Sequence, residues 1–368
     1  MKWNTAKHTF ILLICFMLIY TLVFPHEIAC HTRKAIDLCY GSVLPSLFTF
    51  IVLSKLLSRF ISKTSFSGLL NKTSYRMFNI PALLLPSCIF GLFCGAPAMS
   101  YSIKSIYEKK LCSKEEAQRA IILSNNCSFS FILGFVSLAF TDRSASLIIL
   151  FSNLFSTFTV YSLLFRGKRT VTYTQHTKTT SKDEKISNVI TEGVSDAAAS
   201  AVSLCGFIVF FYTLSFIVKR HLETFLLSTG FSTNTCRTVS ALICSVFEMT
   251  SGAVSAFEIE GYARIPVLCF CTSLLGISVF CQVSGVFSGS GICISQFIKA
   301  KILSAFLSSA ISVTVLFFVP ADIPANLSFG GNNMRGFSVY HLLYVFLATA
   351  FCFIGVYVLS YVDKRHKN

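Results

Sequence analysis

The chain has 368 residues, of which 54% are hydrophobic and only 13% are charged, and its formal net charge is +15. Soluble domains carry about 25% charged residues, so this composition excludes an ordinary soluble enzyme and indicates a membrane protein. The Lys and Arg residues lie between apolar runs rather than along one face, which argues against nucleic-acid binding and fits the positive-inside rule.

Ten candidate hydrophobic segments follow one another along the chain. They cover roughly residues 9–25, 36–58, 79–100, 115–137, 144–165, 188–218, 236–257, 264–287, 294–319 and 338–362. The first segment follows Lys2 and Lys7 and lacks a small-residue cleavage site. We therefore interpret it as an uncleaved signal anchor.

Two of these segments, 79–100 and 236–257, are interrupted at their centres by small and polar residues. Aligned without gaps, Phe90 falls on Phe247 and Gly95-Ala96 falls on Gly252-Ala253. Interrupted apolar segments at matching places in two halves point to a transporter-type binding site near the bilayer midplane. A chance similarity between two Phe-rich segments is the alternative.

The distribution of Lys and Arg favours one way of threading these segments. If both interrupted segments are re-entrant hairpins, twenty of the 31 Lys and Arg residues fall on one side and eight on the other, while Lys55, Lys299 and Lys301 fall within segments. If all ten segments crossed the membrane, neither orientation of the chain would satisfy the positive-inside rule. The sequence therefore predicts an all-α polytopic membrane protein with about eight transmembrane helices plus two re-entrant hairpins in inverted repeats. We expect both termini to be cytoplasmic.

The predicted organisation has five parts. These are a signal-anchor helix (1–35), a first repeat (36–165), a basic cytoplasmic linker (166–187), a second repeat (188–319), and a C-terminal transmembrane helix with a basic tail (320–368).

Polar side chains inside the apolar segments are the candidate binding residues. Asn125 and Asn126 offer amide donors and acceptors that need partners when they are buried, so they suit a polar solute, a cation or an interhelical clamp. Glu248 is an acid at membrane depth, which marks a functional site by default. We expect Glu248 to couple an ion or proton; a protonated acid that hydrogen-bonds to neighbouring backbone is the alternative. The predicted solute- or ion-binding residues are Gly95, Ala96, Pro97, Asn125, Asn126, Ser128, Glu248, Thr250, Ser251, Gly252 and Gln282.

Motifs of soluble enzymes are absent from the sequence. It contains no GxSxG, Walker, HExxH or paired CxxC pattern. We therefore expect no enzyme activity, catalytic residue, metal or cofactor, and interpret most of the fifteen cysteines as small buried hydrophobic residues.

Several short motifs in combination resemble one membrane protein family. They are Val43 to Phe50, Gly91 to Ala98, Ser124-Asn125-Asn126, Glu248-x3-Gly252 and Gly276 to Val283. Together they resemble the sporulation integral membrane proteins of the YlbJ type, within the nucleoside-recognition or gate-domain group. The resemblance implies two gate-like repeats, an endospore-forming bacterium and a role in forming the spore envelope, particularly the cortex.

Two functions of different classes remain open from the sequence. The first is a secondary transporter or gated pathway for a small polar solute, with a coupling cation or proton as a further partner. The second is a non-transporting scaffold that recruits spore-envelope assembly factors, for which the basic 166–187 segment is a candidate surface. Membrane lipid is the expected environment, nucleic acid is not an expected partner, and a homo-oligomer is left open.

Overall fold

The computed structural model describes residues 2–61, 68–141, 143–165 and 186–318. Helices and the turns between them make up these described ranges, which contain no strand. The predicted C-terminal segment 338–362 and nearly all of the 166–187 linker lie outside them. Fourteen of the fifteen cysteines are described; all fourteen are free, and most of them are buried.

Fourteen α-helices follow one another in the described part of the chain. They are α1 (Lys2–Val23), α2 (Pro25–Leu38), α3 (Leu44–Ile61), α4 (Gly68–Phe78), α5 (Leu85–Cys94), α6 (Ser100–Glu108), α7 (Lys114–Ser124), α8 (Arg143–Phe165), α9 (Ile186–Ser228), α10 (Thr233–Phe247), α11 (Met249–Phe257), α12 (Arg264–Leu274), α13 (Gly276–Val286) and α14 (Ser295–Phe318). Single helical turns of other pitch occupy Cys39–Val43, Ala82–Leu84, Phe131–Phe135, Val136–Ala139 and Gly261–Ala263.

Four stretches of helix within the described ranges are long and apolar enough to cross a membrane. They are Ser144–Phe165, Ser187–Ser228, Gly261–Val286 and Ser295–Phe318. Two sharply bent helix pairs, Ile14–Val23 with Pro25–Gly41 and Leu69–Phe78 with Ala82–Cys94, raise the number of candidate spans to six. The all-helical membrane class agrees with the sequence prediction, whereas a count of eight is not reached in the described residues.

The two interrupted segments fold as pairs of helices that turn back on themselves. Hairpin 1 consists of α5, the turn Gly95–Met99 and α6, and the Ser87 and Ser102 hydroxyls on its two arms lie 3.0 Å apart. Hairpin 2 consists of α10, Glu248 and α11. Its two ends meet, since the Glu260 N–H donates to Asn234 Oδ1 at 2.9 Å. Hairpin 1 reaches Glu108, beyond the predicted limit of residue 100, because the chain resumes a helix after its turn.

Two further helices are broken near their middles. The first broken helix is α7, the non-helical residues 125–128 and the helical residues 129–139; a capping box between Ser113 and Glu116 begins it. The second broken helix is α12 followed by α13, and the break falls at Leu275, whose φ is +68°. In the described chain α3 and α9 are each followed by a hairpin, a broken helix and a further helix, and α4 is an additional helix between α3 and hairpin 1.

The connecting turns form two groups, one near each end of α8, and hydrogen bonds join the members of each group. At one end, the hydrogen bonds are Arg119 to the Asn79 carbonyl, Tyr161 to the Phe78 carbonyl and Gln118 to the Cys293 carbonyl. At the other end, they are Arg264 to the Ala139 carbonyl, Lys219 to Glu258 and Asn234 to Glu260. The flanks of hairpin 1 lie at the first end and the flanks of hairpin 2 lie at the second.

The core is built around α8, α12 and α14, which pack against one another, while α9 packs against α2, α3 and α10. The helix α9 has 43 residues and is therefore about 65 Å long, roughly twice the hydrocarbon thickness of a bilayer. The predicted span 188–218 is only part of it. Lys219, near its C-terminal end, forms ion pairs with Glu223 and Glu258.

Candidate functional site

A cavity of about 150 Å³ lies beside the tip of hairpin 1. The tip contributes Ala96, Pro97 and Ala98, and α13 contributes the side chain of Gln282. The remaining wall is formed by Ile51, Cys94, Tyr101, Ser200, Ser203, Leu204, Phe207, Cys281, Gly285 and Val286. None of these lining residues is charged, so the cavity offers amide, hydroxyl, thiol and backbone groups to an uncharged polar ligand.

A lysine stands next to this cavity without lining it. Lys55 Nζ donates to Ser200 Oγ at 2.7 Å and lies 5.2 Å from the centre of the Tyr101 ring. Ser200 and Tyr101 both belong to the cavity wall. The Lys55 side chain therefore contacts two residues of the cavity wall without lining the cavity, at the place where α3 packs against α9.

Behind the tip of hairpin 1 lies the break of the first broken helix. The Ala96 N–H donates to the Asn126 carbonyl oxygen at 3.0 Å. Ser100 Oγ, which begins α6, donates to Asn125 Oδ1 at 2.9 Å. Gly91 on α5 allows this approach, because a Cβ atom there would lie only 2.0 Å from the Ser124 carbonyl oxygen. Hairpin 1 and the first broken helix are thus held together by backbone contact.

The Asn126 side chain is the acceptor for a buried lysine. Lys301 Nζ on α14 donates to Asn126 Oδ1 at 2.6 Å, and Thr157 Oγ1 on α8 donates to the same oxygen at 3.1 Å. Lys301 is 1% exposed. No ion pair joins it to a carboxylate among the described residues, so its principal polar partner is a neutral amide.

A second asparagine connects three helices in the same layer. Asn153 on α8 donates from Nδ2 to Thr272 Oγ1 at 2.8 Å. Its Oδ1 accepts from Ser273 Oγ at 2.5 Å and from Ser308 Oγ at 2.6 Å. Together with Lys301 and Asn126, Asn153 lines a small void of about 10 Å³, close to the volume that one water molecule needs.

Glu248 at the tip of hairpin 2 caps the helix that follows it. Its backbone is extended, its Oε2 accepts from the Ser251 N–H at 2.7 Å, and its Oε1 accepts from Thr250 Oγ1 at 2.9 Å. The side chain of Glu248 is buried. Both carboxylate oxygens are therefore used within the hairpin, as expected for an acidic residue at a helix N-terminus.

The tip of hairpin 2 also contacts the second broken helix closely. A Cβ atom on Gly276 would lie 2.7 Å from the Ser245 carbonyl oxygen and 3.1 Å from Glu248 Cα. A Cβ atom on Gly252 would lie 2.5 Å from Ser245 Cβ. These glycines let the two arms of hairpin 2 and the break at Leu275 pack together.

The structure divides the predicted site residues into three groups. Ala96, Pro97 and Gln282 line the cavity, next to Gly95, which ends α5 with a φ of +74°. The second group, Asn125, Asn126 and Ser128, lies in the break behind the tip of hairpin 1. The third group forms the tip of hairpin 2: Glu248, Thr250, Ser251 and Gly252. This third group contributes nothing to the described wall of the cavity.

Sequence reasoning missed two residues of the buried polar layer, Lys301 and Asn153. The charge count sets Lys301 aside as a residue within a segment, although a lysine inside an apolar segment signals function as an acid does. Asn153 lies in an otherwise apolar helix, and its contacts with α12 and α14 depend on tertiary packing that the sequence does not display. The described residues contain no cluster of His, Cys, Asp and Glu suited to a metal ion.

Comparison with known proteins gives one distant relative. The chain is 24% identical over 338 residues to the sporulation integral membrane protein YlbJ of Bacillus subtilis (strain 168), and the match covers 82% of this chain and 81% of that protein. No family model and no solved structure matches the chain. The distant similarity supports the YlbJ-like resemblance seen in the motifs. Together with the apolar helices, it makes this chain a multi-pass membrane protein.

Proposed function

We propose that this chain acts during sporulation, in forming the spore cortex, as a secondary transporter or gated pathway for a small polar solute. The observation that carries the proposal is the cavity between the tip of hairpin 1 and α13. Such cavities, bounded by unwound backbone and a few polar groups, are where transporters with discontinuous helices bind their solutes. The uncharged wall around Gln282 favours a solute without net charge.

An inverted repeat is part of this proposal. The helix–hairpin–broken helix–helix order occurs twice, and the flanks of the two hairpins lie at opposite ends of the molecule. In a membrane, hairpin 1 would then enter from one face and hairpin 2 from the other. Secondary transporters use this arrangement to expose one binding site alternately to the two sides.

A direct test blocks the cavity from α9. Ser203 lines the cavity, while its neighbour Val202 is 73% exposed and lies outside it. Ser203→Trp should abolish uptake of the accepted solute into proteoliposomes, screened with labelled nucleosides, sugars and neutral amino acids. Val202→Trp should retain uptake, since its indole faces away from the cavity. Equal uptake by both variants would contradict the assignment of the cavity.

A second test separates transport from scaffolding. The chain is expressed in a Bacillus subtilis strain that lacks YlbJ, and heat-resistant spores are counted. A transporter predicts that Ser203→Trp lowers the count and that deletion of residues 171–182 leaves it nearly unchanged. A scaffold acting through the basic linker predicts the opposite pair of results.

A further inference from the structure

Lys301 has a position that solute binding alone does not explain. It is fully buried in α14, and the helices that pack against α14 include α7, α8 and α12. Burying a charge without an acidic partner costs free energy. A buried lysine of this kind therefore points to a function for its charge. The void of about 10 Å³ beside it is the size of one water, which could bring a proton to Nζ or remove one.

The titratable neighbours of Lys301 leave its charge largely uncompensated. Of the titratable groups near it, the Cys127 thiol in the first broken helix lines the same void as Lys301. The others on the elements packed against α14 have contacts elsewhere. Glu116 bonds to Ser113 and Tyr75, Arg119 to the Asn79 carbonyl, Tyr161 to the Phe78 carbonyl, Arg264 to the Ile259 and Ala139 carbonyls and Cys271 to the Ala241 carbonyl, while Cys269 is buried.

Asn126 links Lys301 to the wall of the cavity. Its side-chain oxygen accepts from Lys301 Nζ at 2.6 Å, and its backbone oxygen accepts from the N–H of Ala96, which lines the cavity. One residue therefore connects a buried ammonium to the tip of hairpin 1. We expect a change in the strength of the hydrogen bond from Lys301 to alter the hydrogen bond from the Ala96 N–H.

We propose that Lys301 is a proton-binding site that controls the tip of hairpin 1 through Asn126. This inference rests on the proposed function, since it assigns the coupling ion of that pathway as a proton. When a proton from bulk solvent reaches Nζ by way of the void, the amine becomes an ammonium whose charge-assisted hydrogen bond holds Asn126 and, with it, Ala96. When Nζ returns the proton to water, the neutral amine binds the amide oxygen more weakly and the tip is released.

Hydrogen–deuterium exchange of the protein in lipid nanodiscs tests the inference without any solute. Exchange of a peptide that contains Ala96 is followed from pH 5.5 to 9 and corrected for the intrinsic pH dependence of exchange. The wild-type tip should exchange about tenfold faster at high pH than at low pH, because a hydrogen bond to a charged group is stronger than one to a neutral group. Lys301→Met should abolish this pH dependence. Lys301→Arg should stay in the slowly exchanging state throughout, since arginine keeps its charge.

Lys299 provides the matched control. It lies on the same helix two residues away, and its side chain is exposed, so Lys299→Met should behave as the wild type does. The inference is overturned if the wild-type tip shows no pH dependence, or if Lys301→Met retains it. Should Lys301→Met fail to fold, Lys301→Arg decides: wild-type pH dependence in that variant overturns the inference.

The outcome is separable from that of the proposed function. If Lys301 controls exchange at the tip while Ser203→Trp leaves uptake and spore counts unchanged, the proton site stands and the solute pathway fails. If Ser203→Trp abolishes uptake while the tip ignores Lys301, the pathway stands and the proton site fails.

Discussion

Glycines at the contact between hairpin 1 and the first broken helix carry a steric constraint that can be measured. Gly91→Ala would bring a methyl group to 2.0 Å from a backbone oxygen, which a flexible side chain cannot relieve. Overpacking of this kind costs about 1–3 kcal/mol. We expect a lower melting temperature for purified Gly91→Ala, followed with a thiol-reactive dye that reports exposure of buried cysteines such as Cys88.

Gly206 serves as the control for that measurement. It lies within α9, and a Cβ atom there would meet nothing within 4 Å. Gly206→Ala should therefore leave the melting temperature unchanged or raise it slightly, because alanine favours a helix over glycine. Equal melting temperatures for the two variants would show that the close contact at Gly91 is absent.

Glu248 allows two roles, capping and ion coupling, to be separated. Glu248→Ala removes both acceptors of the cap and should lower stability by about 0.5–2 kcal/mol. Glu248→Gln keeps an oxygen for the Ser251 N–H and should melt close to the wild type. If Glu248 also couples an ion, Glu248→Gln should lose coupled flux in proteoliposomes while remaining folded. Normal flux in that variant would leave Glu248 with the capping role.

At the scale of elements, hairpin 2 makes a prediction about its two ends. Asn234 lies in the first turn of α10 and Glu260 follows α11, and the two residues exchange hydrogen bonds between side chain and backbone. A chain that carries Asn234→Cys and Glu260→Cys should form an intramolecular cross-link in native membranes on mild oxidation. We would detect it as joined fragments after protease cleavage between the two positions. Asn234→Cys paired with Ser251→Cys is the control that should not cross-link as readily, because Ser251 lies at the tip of the hairpin.

The two interrupted segments show how much of the fold can be predicted from the sequence. Small and polar residues inside apolar runs predicted both interrupted segments, and the structure breaks the chain within each of them. The gapless alignment, however, pairs Gly95 with Gly252, whereas the turns fall at Gly95–Met99 and at Glu248. The alignment matches the two glycines. Gly252, however, lies inside a helix, where it allows close packing against Ser245, and the chain turns at Glu248 instead. Residue type alone does not distinguish a glycine that allows close packing from a glycine at a turn.

At the scale of the whole molecule, the sorting of contacts into two ends predicts which positions face the same side. If both termini are cytoplasmic, as the Lys and Arg distribution predicts, residues at the base of hairpin 2 should face outward. A cysteine placed at Asn234 should react with a membrane-impermeant maleimide on intact cells. A cysteine in the 166–187 linker should react only after permeabilisation. The reverse labelling pattern would invert the orientation, and equal labelling of both positions would contradict the two-sided arrangement.

The close contacts at the glycines also limit how the molecule can move. Hairpin 1 is joined to the first broken helix by the backbone hydrogen bond from Ala96 to Asn126 and by the contact at Gly91, and hairpin 2 is joined to the second broken helix at Gly276. Neither hairpin can swing away as a whole without breaking these contacts, so we expect each hairpin to move together with its broken helix. Side-chain hydrogen bonds of Asn126 and Asn153 attach the two pairs to α8 and α14. A movement of either pair would therefore exchange these few bonds against α8 and α14 while the contact between hairpin and broken helix stays intact.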